Sequence, residues 1–135
     1  MKTVTVRDIS IAQNLPFVLI AGPCQLESLD HARMMATGIA EACAASGIQW
    51  VFKASYDKAN RSSLSGERGL GMEKGLEVLN TISEEFGVPT ITDVHEPWHC
   101  AKAAEVCDIL QIPAFLCRQT DLLLAAGETG KALNV

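Results

Sequence analysis

The sequence predicts an α/β fold with a parallel sheet. Short apolar runs of strand length alternate with stretches whose apolar residues recur every three or four positions. A glycine stands between a helical stretch and the next strand at Gly47, Gly87 and Gly130, so a βα pair is the repeating unit. Polar and charged residues gather directly after the strands, where parallel α/β sheets hold their ligands.

Each element has its own justification. Two short strands, near 3–6 and 9–12, open the chain as a hairpin, and the first core strand lies near 17–21. Ser28 is a suitable N-cap and Asp30 suits the positive end of the helix that follows. On that helix Ala32, Met35, Ala36, Ile39, Ala40 and Cys43 form one stripe, ended by Gly47. The second core strand, 48–53, follows at once. A connection from Ser55 to Gly71, rich in serine, glycine and charge, is long for a βα loop and therefore marks a functional one. The second helix, 72–86, carries Leu76, Val78, Leu79, Ile82 and Phe86, with Gly87 and Pro89 barring its extension. The remaining elements are a strand at 90–93, a short helix to 106, a strand at 108–112, a helix at 118–126 and a strand from Lys131. Four βα pairs fill roughly half of an eight-pair barrel of about 250 residues. An open, doubly wound sheet of five strands fits the same pattern.

A chain of 135 residues, 48% hydrophobic and 20% charged, is expected to form one globular domain over 1–135, with 1–13 as the hairpin and 14–135 as the βα portion. The net charge of −5 argues against nucleic acid as a partner. Local cations are then expected to serve small anions. No apolar run approaches the roughly 20 residues that span a bilayer, and the first residues suit a strand rather than a leader, so no membrane partner and a cytoplasmic location are expected. The five cysteines form no Cys-x-x-Cys pair, which suits a reducing compartment. Cys43, Cys107 and Cys117 are expected as small buried hydrophobes. Cys24, at the end of the first core strand, suits core filling and a functional thiol equally.

The segment Lys53 to Ser63 brings two lysines, an arginine, an aspartate, an asparagine and several hydroxyls into eleven residues. Lys53 ends a buried strand, where an unpaired ammonium is costly unless an anion meets it. Cys24, Lys53, Asp93, His95 and Gln111 stand at or just after four successive strand ends and converge on one face of the sheet. Plainer roles compete: an ion pair between Lys53 and Asp93, and helix capping by Asp93 or His95. Gln111, beside Ile112-Pro113, needs partners for its amide. His31 and His99 are expected on solvated faces, and Arg7, Arg33 and Lys74 as surface charges. Arg68 lies among glycines that match no phosphate-loop pattern, and Arg118 heads a helix, where a cation opposes the dipole.

Four segments carry a resemblance: 17–28 (Phe-Val-Leu-Ile-Ala-Gly-Pro-Cys-Gln-Leu-Glu-Ser), 52–63 (Phe-Lys-Ala-Ser-Tyr-Asp-Lys-Ala-Asn-Arg-Ser-Ser), 91–97 and 111–123. In order and through the whole chain they resemble the 3-deoxy-manno-octulosonate 8-phosphate synthases. Lys-Ala-Asn-Arg-Ser is the specific part, because the related 3-deoxy-arabino-heptulosonate 7-phosphate synthases have a Lys-Pro-Arg-Thr-Ser type of segment there. The resemblance implies a (β/α)8 barrel, of which this chain supplies the hairpin, four βα units and the start of strand five. It also implies a homotetramer. The implied reaction condenses phosphoenolpyruvate with arabinose 5-phosphate on the route to lipopolysaccharide. Lys53, Gln111, Pro113 and Ala114 would line the phosphoenolpyruvate pocket. Lys58, Asn60, Arg61, Ser62 and Asp93, with His95, would hold the sugar phosphate, with Asp93 and His95 placed for catalysis and Arg61 reaching a neighbouring subunit's sugar. Cysteine at position 24 marks the class that uses a divalent metal such as zinc, iron or manganese, whose further ligands lie in the second half of the barrel. The related heptulosonate synthases and a non-catalytic phosphate-binding half-barrel are the alternatives, and 135 residues alone are expected to be inactive.

Overall fold

In a computed structural model the described residues are 2–58, 64–65 and 68–135. Strands β1 (Val4–Val6) and β2 (Ile9–Ile11) form an antiparallel hairpin. There follow β3 (Leu19–Ala21), α1 (Leu29–Ser46), β4 (Trp50–Lys53), α2 (Met72–Phe86), β5 (Thr90–Asp93), α3 (Pro97–Val106) and β6 (Ile109–Gln111). A 3₁₀ turn (Ala114–Leu116), α4 (Thr120–Glu128) and β7 (Ala132–Asn134) complete the described elements.

The local signals explain most boundaries. Ser28 caps α1 by accepting the His31 amide at 3.0 Å, and Gly47 closes the helix in the left-handed conformation at φ 66°. Gly87 and Gly130 take the same conformation, at 65° and 69°. The strands are shorter than expected: Phe17 is exposed and lies before β3. The fourth helix starts at Thr120, two residues late, because Pro113 is followed by the 3₁₀ turn. Arg118 therefore heads no helix, and the dipole argument does not apply to it.

Strand order decides between the two architectures left open by the periodicity. The five-stranded sheet runs β3-β4-β5-β6-β7, every pair parallel, in the order of the chain. A doubly wound sheet reverses direction at a switch point and covers both faces with helices. Here all four helices share one apolar cluster with strand residues of one parity: Ala36 and Cys43 of α1, Leu79 and Ile82 of α2, Ala103 of α3 and Leu122 of α4 surround Trp50, Phe52 and Leu110. The winding is that of a (β/α) barrel. Fully burying Leu79 and Ile82 contributes roughly 1.5–3 kcal/mol each.

Strand residues of the other parity form a second cluster. Val51, Ile91 and Ile109 pack with Val6 and Ile9 of the hairpin, joined by Ile20 and Ala132. The hairpin thus caps the interior side of the sheet at the strands' N-terminal ends. Arg7 fixes it there, although expected as a surface charge. Its Nε donates to Asp108 at 2.9 Å, Nη1 to the Val88 carbonyl at 3.2 Å and Nη2 to Ser83 Oγ at 2.6 Å. Those three bonds hold a residue at φ 52°, uncommon for a side chain with a Cβ. Arg33, a part-exposed charge in line with expectation, grips Glu85 with two nitrogens and ties α1 to α2.

Gly22 marks the closest approach within the sheet. A Cβ built on it would lie 1.8 Å from the Lys53 carbonyl oxygen, whereas one on Gly38, in the exposed middle of α1, meets nothing within 4 Å. The same substitution should therefore act with opposite signs. Gly22→Ala is expected to cost about 1–3 kcal/mol or abolish folding, and Gly38→Ala to add about 0.5–1 kcal/mol. Urea unfolding of both variants measures this, and equal effects would refute the assigned contact.

Candidate functional site

Alternation along the strands places the candidate residues. Val51, Ile91 and Ile109 face the interior, so two residues on, Lys53, Asp93 and Gln111 face it too, each nearer its own strand's C-terminal end; in register Lys53 pairs with Ile91, one step below Asp93 and Gln111. Asp93 pairs in register with Gln111, and Gln111 with Asn134. Asn134 Nδ2 donates to Gln111 Oε1 at 3.1 Å, which supplies a partner for the amide. Among the described residues Lys53 makes no ion pair and no side-chain hydrogen bond, so the expected alternative of a Lys53–Asp93 bridge is not what forms. A half-buried ammonium is left facing the interior layer.

Asp93 is held instead by His95 and Ser55. His95 Nε2 lies 3.0 Å from Asp93 Oδ2, and Ser55 Oγ donates to Oδ1. Burial pushes the Asp93 carboxyl up, yet the hydrogen bonds from His95 and Ser55 and the field of His95 outweigh it and hold the group below its ordinary value. The carboxylate is ionised at neutral pH. With Nε2 committed to Asp93, His95 Nδ1 is buried and has no partner among the described residues. Neither residue caps α3. Glu96 does so, in a reciprocal box with His99.

The first part of the loop after β4 brings Lys58 and Cys24 together. Gln25 and Ser55 form a parallel bridge, the Leu26 amide donates to the Ser55 carbonyl at 2.9 Å, and Lys58 Nζ reaches the Cys24 carbonyl at 3.4 Å. Arg68 is not available to an anion in this arrangement, because its guanidinium holds both carboxylate oxygens of Asp57, at 2.8 and 2.5 Å. Pro113 and Ala114 follow β6 directly, at the same end of the sheet. Asn60, Arg61 and Ser62 lie outside the described residues. Cys24 presents an exposed thiol at this end, and among the described residues no three His, Cys, Asp or Glu side chains gather to hold a metal ion.

Two expectations about exposure are corrected. Cys117 is exposed, since the 3₁₀ turn carries it away from the helices; Cys43 and Cys107 are buried, and burial pushes the Cys107 thiol up to about 12. His99 is buried rather than solvated. Its Nδ1 lies 2.9 Å from Tyr56 Oη and 3.3 Å from the amides of both His95 and Glu96. Neither Tyr56 nor His99 was singled out by its pattern. The one available signal was a tyrosine placed directly after the strand that carries Lys53.

Fold and site together define a (β/α)-barrel protein whose cationic, carboxylate and amide side chains meet at the C-terminal ends of its strands. The chain belongs to the DAHP synthetase I family, whose model matches residues 1–135. Among curated relatives, a protein of Granulibacter bethesdensis is 59% identical over 134 residues, 99% of this chain and 48% of the relative. One of Fusobacterium nucleatum is 61% identical over 119 residues, 88% of this chain and 43% of the relative. One of Rickettsia felis is 54% identical over 134 residues, 99% of this chain and 49% of the relative. Each bears the name 2-dehydro-3-deoxyphosphooctonate aldolase. The chain spans about half the length of the curated relatives it matches. No helix among the described residues is long and apolar enough to cross a membrane.

The electrostatics give a pH dependence of stability. Burial, then the field of His95, holds the His99 imidazole below its ordinary value of 6.5, with Lys102 acting in the same direction and Glu96 and Asp57 opposing. Between the lowered value and 6.5 the unfolded chain binds more protons than the folded one, so stability falls as pH drops through that window. Asp93 acts lower: its contribution is complete above 3.8 and is lost as pH falls through its depressed folded value. Thermal unfolding between about pH 7 and pH 5 should show Tm dropping, and a flatter profile for His99→Asn. Parallel profiles for the two proteins would refute the buried, neutral imidazole.

Proposed function

We propose that the whole protein containing this chain condenses phosphoenolpyruvate with arabinose 5-phosphate and water, giving 3-deoxy-manno-octulosonate 8-phosphate and inorganic phosphate. The observation that carries this reading is that Lys53, Asp93 and Gln111 all point to the interior from the C-terminal ends of three successive strands, in a chain whose relatives are named for an octulosonate-phosphate aldolase. In chemical terms the reaction is an aldol-type transfer, and a route to lipopolysaccharide would consume its product.

The roles follow from charge and position. Phosphoenolpyruvate carries a phosphate and a carboxylate, so it needs fixed cations in a site shielded from water. Lys53 supplies one, with no partner among the described residues to release first. Gln111 offers its amide and Pro113 and Ala114 their backbone beside it. The enol carbon attacks the sugar aldehyde, water adds at the neighbouring carbon and phosphate leaves, which balances three plus five carbons against the eight-carbon product. Asp93 is an ionised acceptor for sugar hydroxyls. His95 steadies it through Nε2 and acts with it in proton transfer at the aldehyde oxygen. Lys58, with Asn60, Arg61 and Ser62, completes the hold on the sugar phosphate. Assembly as a cytoplasmic homotetramer would let Arg61 serve a neighbouring subunit.

The exposed Cys24 fits one position of a divalent metal site, since a thiolate suits zinc, iron or manganese. Such an ion would supply Lewis acidity and orient the bound groups. A family description naming DAHP synthetase favours a second reading, in which a four-carbon aldose phosphate gives a seven-carbon product.

Four outcomes test this. Joined to the second half of the Granulibacter relative, residues 1–135 should release phosphate with arabinose 5-phosphate and not with a four-carbon aldose phosphate; the opposite preference selects the second reading. Lys53→Ala in that protein should lower kcat/KM by about 10²-fold or more. The 135 residues alone should release none, and a chelator should silence the joined protein. Full activity after chelation would remove the metal from the proposal.

A further inference from the structure

We propose that Tyr56 and His99 are a positioning pair that locks the loop after β4 to the loop after β5 and so sets the orientation of Asp93 and His95. The proposal rests on the assignment of those two residues to the sugar phosphate. Three donors converge on His99 Nδ1: Tyr56 Oη at 2.9 Å and the His95 and Glu96 amides at 3.3 Å. Two of them are backbone N–H groups, which only donate. Nδ1 therefore carries the lone pair, the ring's proton sits on Nε2, and the Tyr56 hydroxyl donates.

Tyr56 is itself closely confined. It is 1% exposed. A Cβ on Gly75 would come within 2.4 Å of its Cβ, and one on Gly69 within 2.7 Å of its carbonyl oxygen, which accepts the Gly71 amide at 3.0 Å. The rings of Tyr56, His95 and His99 meet edge to face in a triangle with centroids 5.8–6.0 Å apart. Consecutive residues thus send one bond each across to the β5 loop: Ser55 to the Asp93 carboxylate, and Tyr56 to the imidazole that holds the His95 backbone. His95 is fixed on three sides, by Asp93 at Nε2, by the Tyr56 ring and by His99 at its amide. A tyrosine serving only the core would need none of this alignment.

Tyr56→Phe keeps the ring and removes only the donor. In residues 1–135 joined to the second half of the Granulibacter relative, it should lower kcat over KM for the sugar phosphate about tenfold while the KM for phosphoenolpyruvate stays within about twofold. His99→Asn, which keeps an acceptor, should retain more activity than His99→Leu. Unchanged kinetics in Tyr56→Phe, equal changes for both substrates, or equal activity of the two His99 variants would overturn the proposal. Nitrogen-15 spectra of labelled histidine supply a readout independent of turnover. They should show His99 as the Nε2–H tautomer and a shifted His95 signal in Tyr56→Phe; an Nδ1–H tautomer or an unmoved His95 signal overturns the pair. If the joined protein does not condense the two substrates at all, the proposed function fails, and the spectra still decide on Tyr56 and His99.

Discussion

Because the five strands lie parallel in the order in which the chain makes them, each must divide its side chains between a shell that faces helices and an interior that does not. Everything else in the structure is a consequence of that division. Trp50 and Phe52 go to the shell, Val51 to the interior. The parity that buries Val51 also delivers Lys53 to the same side, and the parity that buries Ile91 and Ile109 delivers Asp93 and Gln111. An apolar floor and a polar layer above it are thus two ends of one pattern. Gly22 is where the pattern is tightest, because it lets β3 close onto the Lys53 carbonyl and so sets the height of the lysine.

The polar layer combines groups in different electrostatic conditions. Asp93 stays ionised and is oriented by His95 and Ser55, while the Lys53 ammonium has no internal anion among the described residues. A site arranged this way keeps one charge pre-aimed and leaves another to be completed by a ligand, which separates orientation from attraction. Arg68 shows the contrast: it carries the same charge as Lys53 but is bound to Asp57.

Much of this was legible in the sequence because the relevant signals are local. The limits of α2 follow from its apolar stripe and Gly87, the start of α1 from Ser28, and the inward position of Lys53, Asp93 and Gln111 from their place at strand ends. The choice between open sheet and barrel was legible only through the motif resemblance, since periodicity records which face is apolar and not which strand lies beside which. His99 was misjudged for the same reason. It looks like an ordinary first-turn residue until Tyr56, more than forty positions earlier, is folded against it. Arg7 lies at the surface as its sequence suggests, but its hold on Ser83, Val88 and Asp108 is invisible there because those residues are remote in the chain. Cys117 and Arg118 were misplaced through a 3₁₀ turn whose three residues carry no distinctive pattern.

The hairpin carries a consequence for the order of assembly. It precedes in the chain every strand it docks on, yet its apolar residues pack on Val51, Ile91 and Ile109, and its arginine bonds to Asp108, 101 residues further on. A contact across that much chain forms only after the intervening loop has been closed, an entropic cost that local βα pairs do not bear. The hairpin can therefore complete its docking only after β6 has been made, and until then its apolar face stays uncovered by those strands.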